Sequence, residues 1–487
     1  MSKNKSKKKD EIIALPCMEE ARKFSQNPAI VYRDAIKISD QMKSYCEGKT
    51  YFIKTFGCQA NVRDSEIMAG MFELAGMKET TVAKEANFII VNTCAVRENA
   101  VDKMYGEIGN LKSLAKTADI IAVCGCVVEQ PTATERIRKI YPQVNLIFGT
   151  HELPLMFDYI EKVLFGNAKK AIAIKSQTGD VFEDLPSKRD STYKAFVNIM
   201  YGCNKFCTYC IVPYTRGRER SRLPEDIIKE CQELIDAGYQ EITLLGQNVN
   251  AYGKDLKNGI GFAELLEKVA LLGIPRLRFT TPHPWDFDDK MIDIIAKYPN
   301  IMKSVHLPVQ SGNDEILMKM GRRYDSAHYK DLVDRMKARI PGLTLSTDII
   351  VGFPNETYEQ FADTLKMVNY VKYESAFTFI YSPRPGTPAA RLKDDVSDEE
   401  KHRRFDELVK TCEVHFANYA NSMVGKVYKV LVDGPSKNND TMYSGYTECN
   451  KVVHFRCEDK SIIGTIVKVK ILESHTYSLI GELYEEK

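Results

Sequence analysis

The sequence predicts an α/β protein in three parts: an N-terminal doubly wound parallel-sheet domain, a central open (β/α)6 partial barrel and a small C-terminal all-β module. Three observations carry that reading. Short apolar runs alternate with helix-length segments from residue 51 to about 165, the pattern of parallel strands joined by crossover helices. A second alternation occupies 193–421. From residue 422 on, the chain changes to short strands separated by turns. A length of 487 residues agrees with three domains at about 150 residues each.

Residues 1–50 read as a polar lead-in, partly helical and partly disordered. The stretch Met1 to Asp10 holds five lysines and no apolar segment, so it is a solvated tail and not an export signal. Tyr51–Gly57 reads as a strand and Asp64–Gly76 as a helix stopped at glycine. Asn87–Asn92, Asp119–Gly125 and Val144–Phe148 are short buried strands, with helices over Asn99–Lys116 and Thr134–Ile140 between them. Residues 166–192 form a charged connector. Strands then follow at Ala195–Met200, Glu241–Leu245, Leu277–Thr280, Lys303–His306, Leu343–Val351 and Ala376–Ile380. Helices include Pro224–Ala237, Phe262–Leu272, Ala327–Arg339 and Tyr358–Val371. Six units over this span fall short of the ~250 residues of a closed eight-fold barrel, so the barrel is expected to be open. A charged helix, Asp398–Asn421, leads to five strands: Val427–Val432, Tyr443–Tyr446, Val452–Phe455, Ile463–Lys470 and Ser478–Leu483. Turns are read at Asp433-Gly434 and Asn438-Asn439.

Lysine and arginine number 68 against 66 acidic residues, a net charge of +2 that excludes a polycationic protein. A nucleic-acid partner would then need a local basic patch. RGRERSR, Arg216 to Arg222, with four arginines and one glutamate, is the candidate. No run approaches the ~18 apolar residues of a spanning helix, so no membrane partner is expected. Thirteen cysteines, an odd number with no export signal, argue against a disulfide framework and for metal ligation or redox chemistry in a reducing cytoplasm.

Two cysteine groups stand out. Cys203, Cys207 and Cys210 lie within eight residues, in the loop after the first barrel strand. A structural zinc site wants a fourth ligand, and none follows nearby. Three thiolates on a four-iron cluster instead leave one iron open. The second group is dispersed. Cys58, Cys94 and Cys126 each follow a strand of the N-terminal sheet, at the carboxyl edge where such folds bind ligands. Cys124 competes with Cys126. The two are two residues apart, so a straight strand points both to one face. Cys126 is nearer the strand end.

The segment CNKFCTYC resembles the cluster motif of the radical S-adenosylmethionine (radical SAM) superfamily. KTFGCQANVRDSE, NTCAVRENA and GCVVEQ ahead of it resemble the N-terminal domain of the methylthiotransferases. The likeness continues through TPHPWDF, HLPVQSGND and VGFPNET to SLIGEL, covering about residues 50–486, and the β module resembles an RNA-binding TRAM domain. One departure is Ala60, where a methionine is usual. The resemblance implies two [4Fe–4S] clusters, one on Cys203, Cys207 and Cys210 and one on Cys58, Cys94 and Cys126. It also implies two SAM molecules, one spent on a radical and one on methylating a sulfur. The implied reaction installs a methylthio group on carbon 2 of a prenylated adenosine in the tRNA anticodon stem-loop. The cofactors carry that chemistry, so no side chain is assigned a catalytic role. Phe206 and Tyr209 are expected to shield the cluster. Gln247, Asn248, Gln310 and Asp348, at barrel strand ends, are the candidates for SAM contacts. An electron donor such as flavodoxin or ferredoxin and a monomeric state complete the expectation. The alternatives are the threonylcarbamoyl-adenosine branch of the same family, or a radical SAM oxidoreductase with an auxiliary cluster.

Overall fold

The computed structural model describes residues 9–21, 29–96, 98–175, 180–257, 259–436 and 439–485. Buried apolar strands build the N-terminal sheet: Phe88–Thr93 and Ile120–Cys124 are buried at every position, as strands covered by helices on both faces must be. The sheet has seven strands, all parallel, in the spatial order Lys9–Ala14, Ala168–Ala173, Leu146–Phe148, Ile120–Cys124, Phe88–Thr93, Thr50–Phe56, Lys78–Glu79. Two apolar layers flank it, one packed around Met68, Phe72 and Phe157, the other around Met104, Ile108 and Ile137.

Two sequence expectations are corrected here. Lys9–Ala14 is an edge strand of this sheet, and its first two residues fall in the Met1–Asp10 stretch read as a solvated tail; residues 1–8 lie outside the described residues. The connector at 166–192 opens with the strand Ala168–Ala173 that pairs with it. The six-residue run KDEIIA is half charged, and an edge strand needs only one apolar side.

The central domain has six parallel strands in sequence order. Lys194–Asn198, Glu241–Leu245 and Arg276–Phe279 form one ladder; Ser304–His306, Thr344–Val351 and Ser375–Ile380 form the other. A single bridge, Leu277 to Ile301, joins them. Among the described residues no ladder closes the first strand on the last, so the barrel is open. The helix Asp398–Met423 then leads into a closed five-stranded barrel, Val427–Ser436, Asn439–Thr447, Val452–Arg456, Ser478–Leu483 and Ile466–Ser474. The turn read at Asp433-Gly434 is a bulge within the first of these strands: its register shifts between Val432 and Gly434, and Gly434 takes φ +130°. No helix among the described residues is long and apolar enough to cross a membrane.

Buried ion pairs join the first two domains. Arg63 and Glu66 lie on the helix Gln59–Leu74 of the sheet domain. Glu230, on the barrel helix Pro224–Asp236, accepts from Arg63 at 3.1 Å, Arg189 at 2.6 Å and Arg222 at 2.6 Å. Arg189 also reaches Glu66 at 3.1 Å, and Arg222 forms a double contact with Glu183. Burial by itself would raise the Glu230 carboxyl, but Arg222, Arg63 and Arg189 outweigh it and hold it at about 2.

A depressed folded pKa contributes stability that is present above the unfolded value, 4.5, and is lost as pH falls through about 2. Replacing Glu230 with Gln leaves three guanidinium groups short of their shared anion. Urea unfolding at neutral pH is expected to show a loss of roughly 3–5 kcal/mol. The wild type is expected to weaken as pH falls from 4.5 towards 2 by more than the variant does.

Candidate functional site

Parallel strands all point one way, so the loops that follow them gather at one edge. The strand Thr50–Phe56 is followed by Cys58, which caps the helix Gln59–Leu74. Cys94 follows Phe88–Thr93 directly, and its amide donates to the Phe56 carbonyl at 2.8 Å. Ile120–Cys124 ends at Cys124; Gly125 takes φ +91°, and Cys126 opens a short 3-10 turn, Cys126–Glu129. A Cβ at Gly125 would stand 2.4 Å from Asn92 Oδ1 and 2.6 Å from the Thr93 carbonyl, so only glycine fits.

This kink separates the two competing cysteines. Cys124 turns into the core, its sulfur 3.9 Å from Met68 Sδ, and burial pushes its thiol well up. Cys126 turns to the other cysteines. The Cys94 thiol hydrogen-bonds both Cys58 and Cys126, which lowers those two and raises its own. The structure thus brings Cys58, Cys94 and Cys126 together and sends Cys124 elsewhere. The expectation that both members of the pair share a face fails because the strand stops one residue before the glycine.

The second triad is held by its own loop. Gly202 takes φ +74°, and a Cβ there would lie 1.9 Å from the Arg218 carbonyl. The Cys203 amide donates to Gly217 at 3.1 Å, Cys210 to Cys207 at 2.9 Å, and Thr208 to Met320 at 2.9 Å. Burial pushes the Cys203 and Cys210 thiols up, Cys210 to about 12.

Each triad has one sulfur facing a buried guanidinium. Arg216 Nε donates to Cys126 Sγ at 3.1 Å while its Nη2 pairs with Asp64 at 2.7 Å. Arg322 Nη1 donates to Cys207 Sγ at 3.5 Å and is fixed by Tyr324 and the Pro308 carbonyl. A cation aimed at sulfur favours the thiolate, the form that ligates metal. No group of three His, Cys, Asp or Glu among the described residues forms a single-ion cage. Thiolates on an iron–sulfur cluster bind separate irons, and an all-cysteine donor set suits that chemistry. Ala95, Cys126, Ile211 and Tyr214 form one buried apolar contact, with Met18 and Phe206 packed against it. Ala95 follows Cys94, Ile211 follows Cys210 and Phe206 precedes Cys207, so the contact adjoins both cysteine groups, and Phe206 meets Tyr214 edge-on at 5.6 Å. Tyr209 packs elsewhere, against Ile316, Met320 and Phe353.

The expected arginine patch is corrected. Arg216, Arg220 and Arg222 are buried. Arg216 serves Cys126 and Asp64, Arg222 serves Glu183 and Glu230, and Arg220 lies over the Tyr201 ring at 5.6 Å. Arg216 and Arg222 fold inward because Asp64, Glu183 and Glu230 wait there. Of the remaining candidates, Gln247 Oε1 accepts from Gly202 N at 2.5 Å, supporting the cysteine loop. Asn248 Nδ2 donates to Glu219 at 3.1 Å and Asp286 at 3.2 Å. Gln310, at φ +70°, donates its amide to the Asp348 carbonyl at 2.9 Å. The Asp348 carboxylate faces His306 Nε2 at 3.3 Å. His306 and Arg322 were not anticipated. His306 opens HLPVQSGND and ends a predicted strand, a signal that could have marked it; Arg322 sits in no spacing that sequence marks as special.

The pattern of the radical SAM superfamily matches residues 197–368, that of uncharacterized protein family UPF0004 matches 50–149, and that of the TRAM domain matches 421–484. A tRNA-2-methylthio-N(6)-dimethylallyladenosine synthase of Bacillus subtilis is 47% identical over 487 residues, 99% of this chain and 95% of that protein. A protein of the same name from Oceanobacillus iheyensis is 48% identical over 473 residues, 96% of this chain and 91% of its own. Both alignments extend ahead of residue 50, beyond the stretch where motifs carry the likeness. Among solved structures, the radical S-adenosylmethionine methyltransferase TsrM of Kitasatospora setae superposes with a TM-score of 0.52 at 14% identity, over 70% of this chain and 75% of that one, a likeness of fold.

Alanine at Gly202 is expected to lower stability by at least about 1 kcal/mol, because a side chain must occupy a left-handed backbone against a carbonyl. Urea denaturation checks this, with Gly238→Ala as the comparison: its φ is also positive, and nothing lies within 4 Å of its added Cβ.

Proposed function

The chain belongs to the family of the tRNA-2-methylthio-N6-dimethylallyladenosine synthases, and from that membership we propose that it converts N6-dimethylallyladenosine at position 37, next to the tRNA anticodon, into its 2-methylthio derivative. The observation that supports this reading is one apolar contact that joins Ala95 and Cys126 of the sheet domain to Phe206, Ile211 and Tyr214 beside the second cysteine triad. A single radical SAM centre would need only the second.

In this reading Cys203, Cys207 and Cys210 hold one [4Fe–4S] cluster, and Cys58, Cys94 and Cys126 hold another. When bound, the clusters and two SAM molecules supply the one-electron cleavage, the sulfur and the methyl group that an unactivated aromatic C–H requires. The chain's own part is placement and electrostatics. Arg216 and Arg322 offset the negative charge of the thiolates they touch. Gln247 fixes the Gly202 turn, and Asn248 and Gln310, past the ends of barrel strands, and Asp348, within the strand Thr344–Val351, serve as SAM contacts. Ala95, Phe206, Ile211 and Tyr214 exclude water between the two centres. The C-terminal barrel and the open mouth receive the anticodon stem-loop, whose loop bases can be splayed into a pocket. Flavodoxin or ferredoxin supplies the electrons to a monomer in the cytoplasm.

Alanine at Cys203, Cys207 or Cys210 is expected to abolish SAM cleavage and leave about half of the iron. Cys126→Ala is expected to lose the other half and form no product, whereas Cys124→Ala keeps both clusters. Equal iron losses in the last two variants would reject the assignment within that pair. Mass spectrometry of tRNA nucleosides from a deletion strain tests the reaction itself: the 2-methylthio nucleoside should vanish and its prenylated precursor accumulate. A preference for prenylated over unprenylated stem-loops of roughly tenfold to a thousandfold is also expected, since a five-carbon group gains ~0.8 kcal/mol per buried methylene before ordering costs. Equal turnover of both substrates would place the chain in another branch.

A further inference from the structure

The last strand of the central domain, Ser375–Ile380, pairs on one side only, with Thr344–Val351, and so forms the open edge of that barrel among the described residues. Successive side chains of a strand alternate between its two faces. Ala376 and Ile380 pack against the helix-covered core. Phe377 and Phe379 therefore stand on the other face, toward the barrel's interior, and they are 54% and 39% exposed. The register sets Asp348 directly opposite Phe377 and Ile350 opposite Phe379. Ile350 packs against the same apolar cluster as Tyr209, which lies between Cys207 and Cys210, and Ala389 of that cluster donates its amide to the Thr208 carbonyl at 2.9 Å. The aromatic wall thus begins at the cluster on which the cysteine loop rests. Its other end is fixed by His306, whose ring meets Phe377 edge-on at 5.8 Å while its Nδ1 lies 3.0 Å from Ser346 Oγ and its Nε2 3.3 Å from the Asp348 carboxylate.

Two phenylalanines exposed on an open edge strand forgo burial and invite pairing with another chain. The strand's helix-facing residues supply its contacts with the core, which leaves much of both rings for something else to cover. The chemistry of the wall narrows what that is. A phenyl ring offers no hydrogen-bond donor or acceptor, so the charged ammonium and carboxylate of SAM are poorly matched to it, whereas a branched hydrocarbon group is well matched. Two residues along a parallel strand span about 6.6 Å, a length that a five-carbon chain can lie across. The relatives are named for an adenosine that carries such a group. We propose that Phe377 and Phe379 form the wall that takes the N6-dimethylallyl group of the target adenosine, and that they are the residues by which the prenylated substrate is selected. The open edge gives the base a lateral way in. The proposal rests on the reaction proposed above and names the specificity residues that reading leaves open.

The test uses the cluster-loaded full-length protein and two fluorescent anticodon stem-loops, one prenylated and one not. Affinity and kcat/KM are measured on both, and the ratio between the two stem-loops is the quantity compared. Phe377→Ser and Phe379→Ser are each expected to cut the preference for the prenylated form roughly fivefold, and the double variant to bring it close to one. Phe377→Leu, which keeps an apolar side chain, should retain most of it. A merely structural role would weaken both stem-loops alike and leave the ratio where it stood. Because the ratio compares two substrates on one preparation, a partial loss of iron or of folded protein does not obscure it. An unchanged ratio in the serine variants beside a selective wild type would overturn the wall and leave the reaction standing, as would a change confined to the KM for SAM. Wild type that binds and turns over both stem-loops equally would overturn the substrate in the functional reading together with the wall.

Discussion

Arg216 ties the molecule's two chemical halves together. It belongs to the loop that follows the second cysteine triad, yet its guanidinium crosses into the sheet domain, where it donates to Cys126 and pairs with Asp64. A buried guanidinium is costly unless every face of it meets an anion or an acceptor. Thiolate and carboxylate supply that pairing only when the two domains are docked. The position of the sheet edge relative to the barrel mouth is thereby coupled to the ionisation of a sulfur.

Around that contact the interface is assembled from charge. Glu230 gathers Arg63, Arg189 and Arg222, and Glu66 and Glu183 complete the network. Such a network is modest in net stability, because desolvation offsets much of the attraction. It is strict about geometry, however, since any slip of one domain against the other leaves a buried charge unpaired. The contact of Arg216 with Cys126 and Asp64 across the same interface needs that strictness.

The third domain is held differently. Arg276 and Arg278 lie on a barrel strand and donate to carbonyls of the C-terminal module at Lys429, Tyr446, Thr447 and Glu448. These anchors use backbone acceptors on the module. The catalytic edge and the module attach to opposite ends of the barrel strands: the cysteine loop follows a strand, whereas Arg276 begins one.

Much of this was legible in the residues themselves. Period and run length located the sheet, the six barrel strands and the terminal β module, because burial on both faces or on one writes directly into hydrophobic pattern. The CNKFCTYC spacing marked one triad, and strand-end position marked the other. What pattern does not encode is direction and partnership. Cys124 and Cys126 differ in role because Gly125 turns the backbone between them. RGRERSR looks like a solvated cationic patch until Asp64 and Glu183, distant in sequence, and Glu230, on the next helix, are folded against it. Lys9–Ala14 becomes a strand only where Ala168–Ala173 offers it an edge. Phe377 and Phe379 come to stand beside Asp348 and Ile350 only through the register of two strands. The sequence by itself determined the elements whose burial writes a hydrophobic pattern and which thiols are available. The tertiary structure alone decided which charges are buried and which sulfurs they face, because electrostatic partnership depends on distance in space, and the chain's order does not fix it.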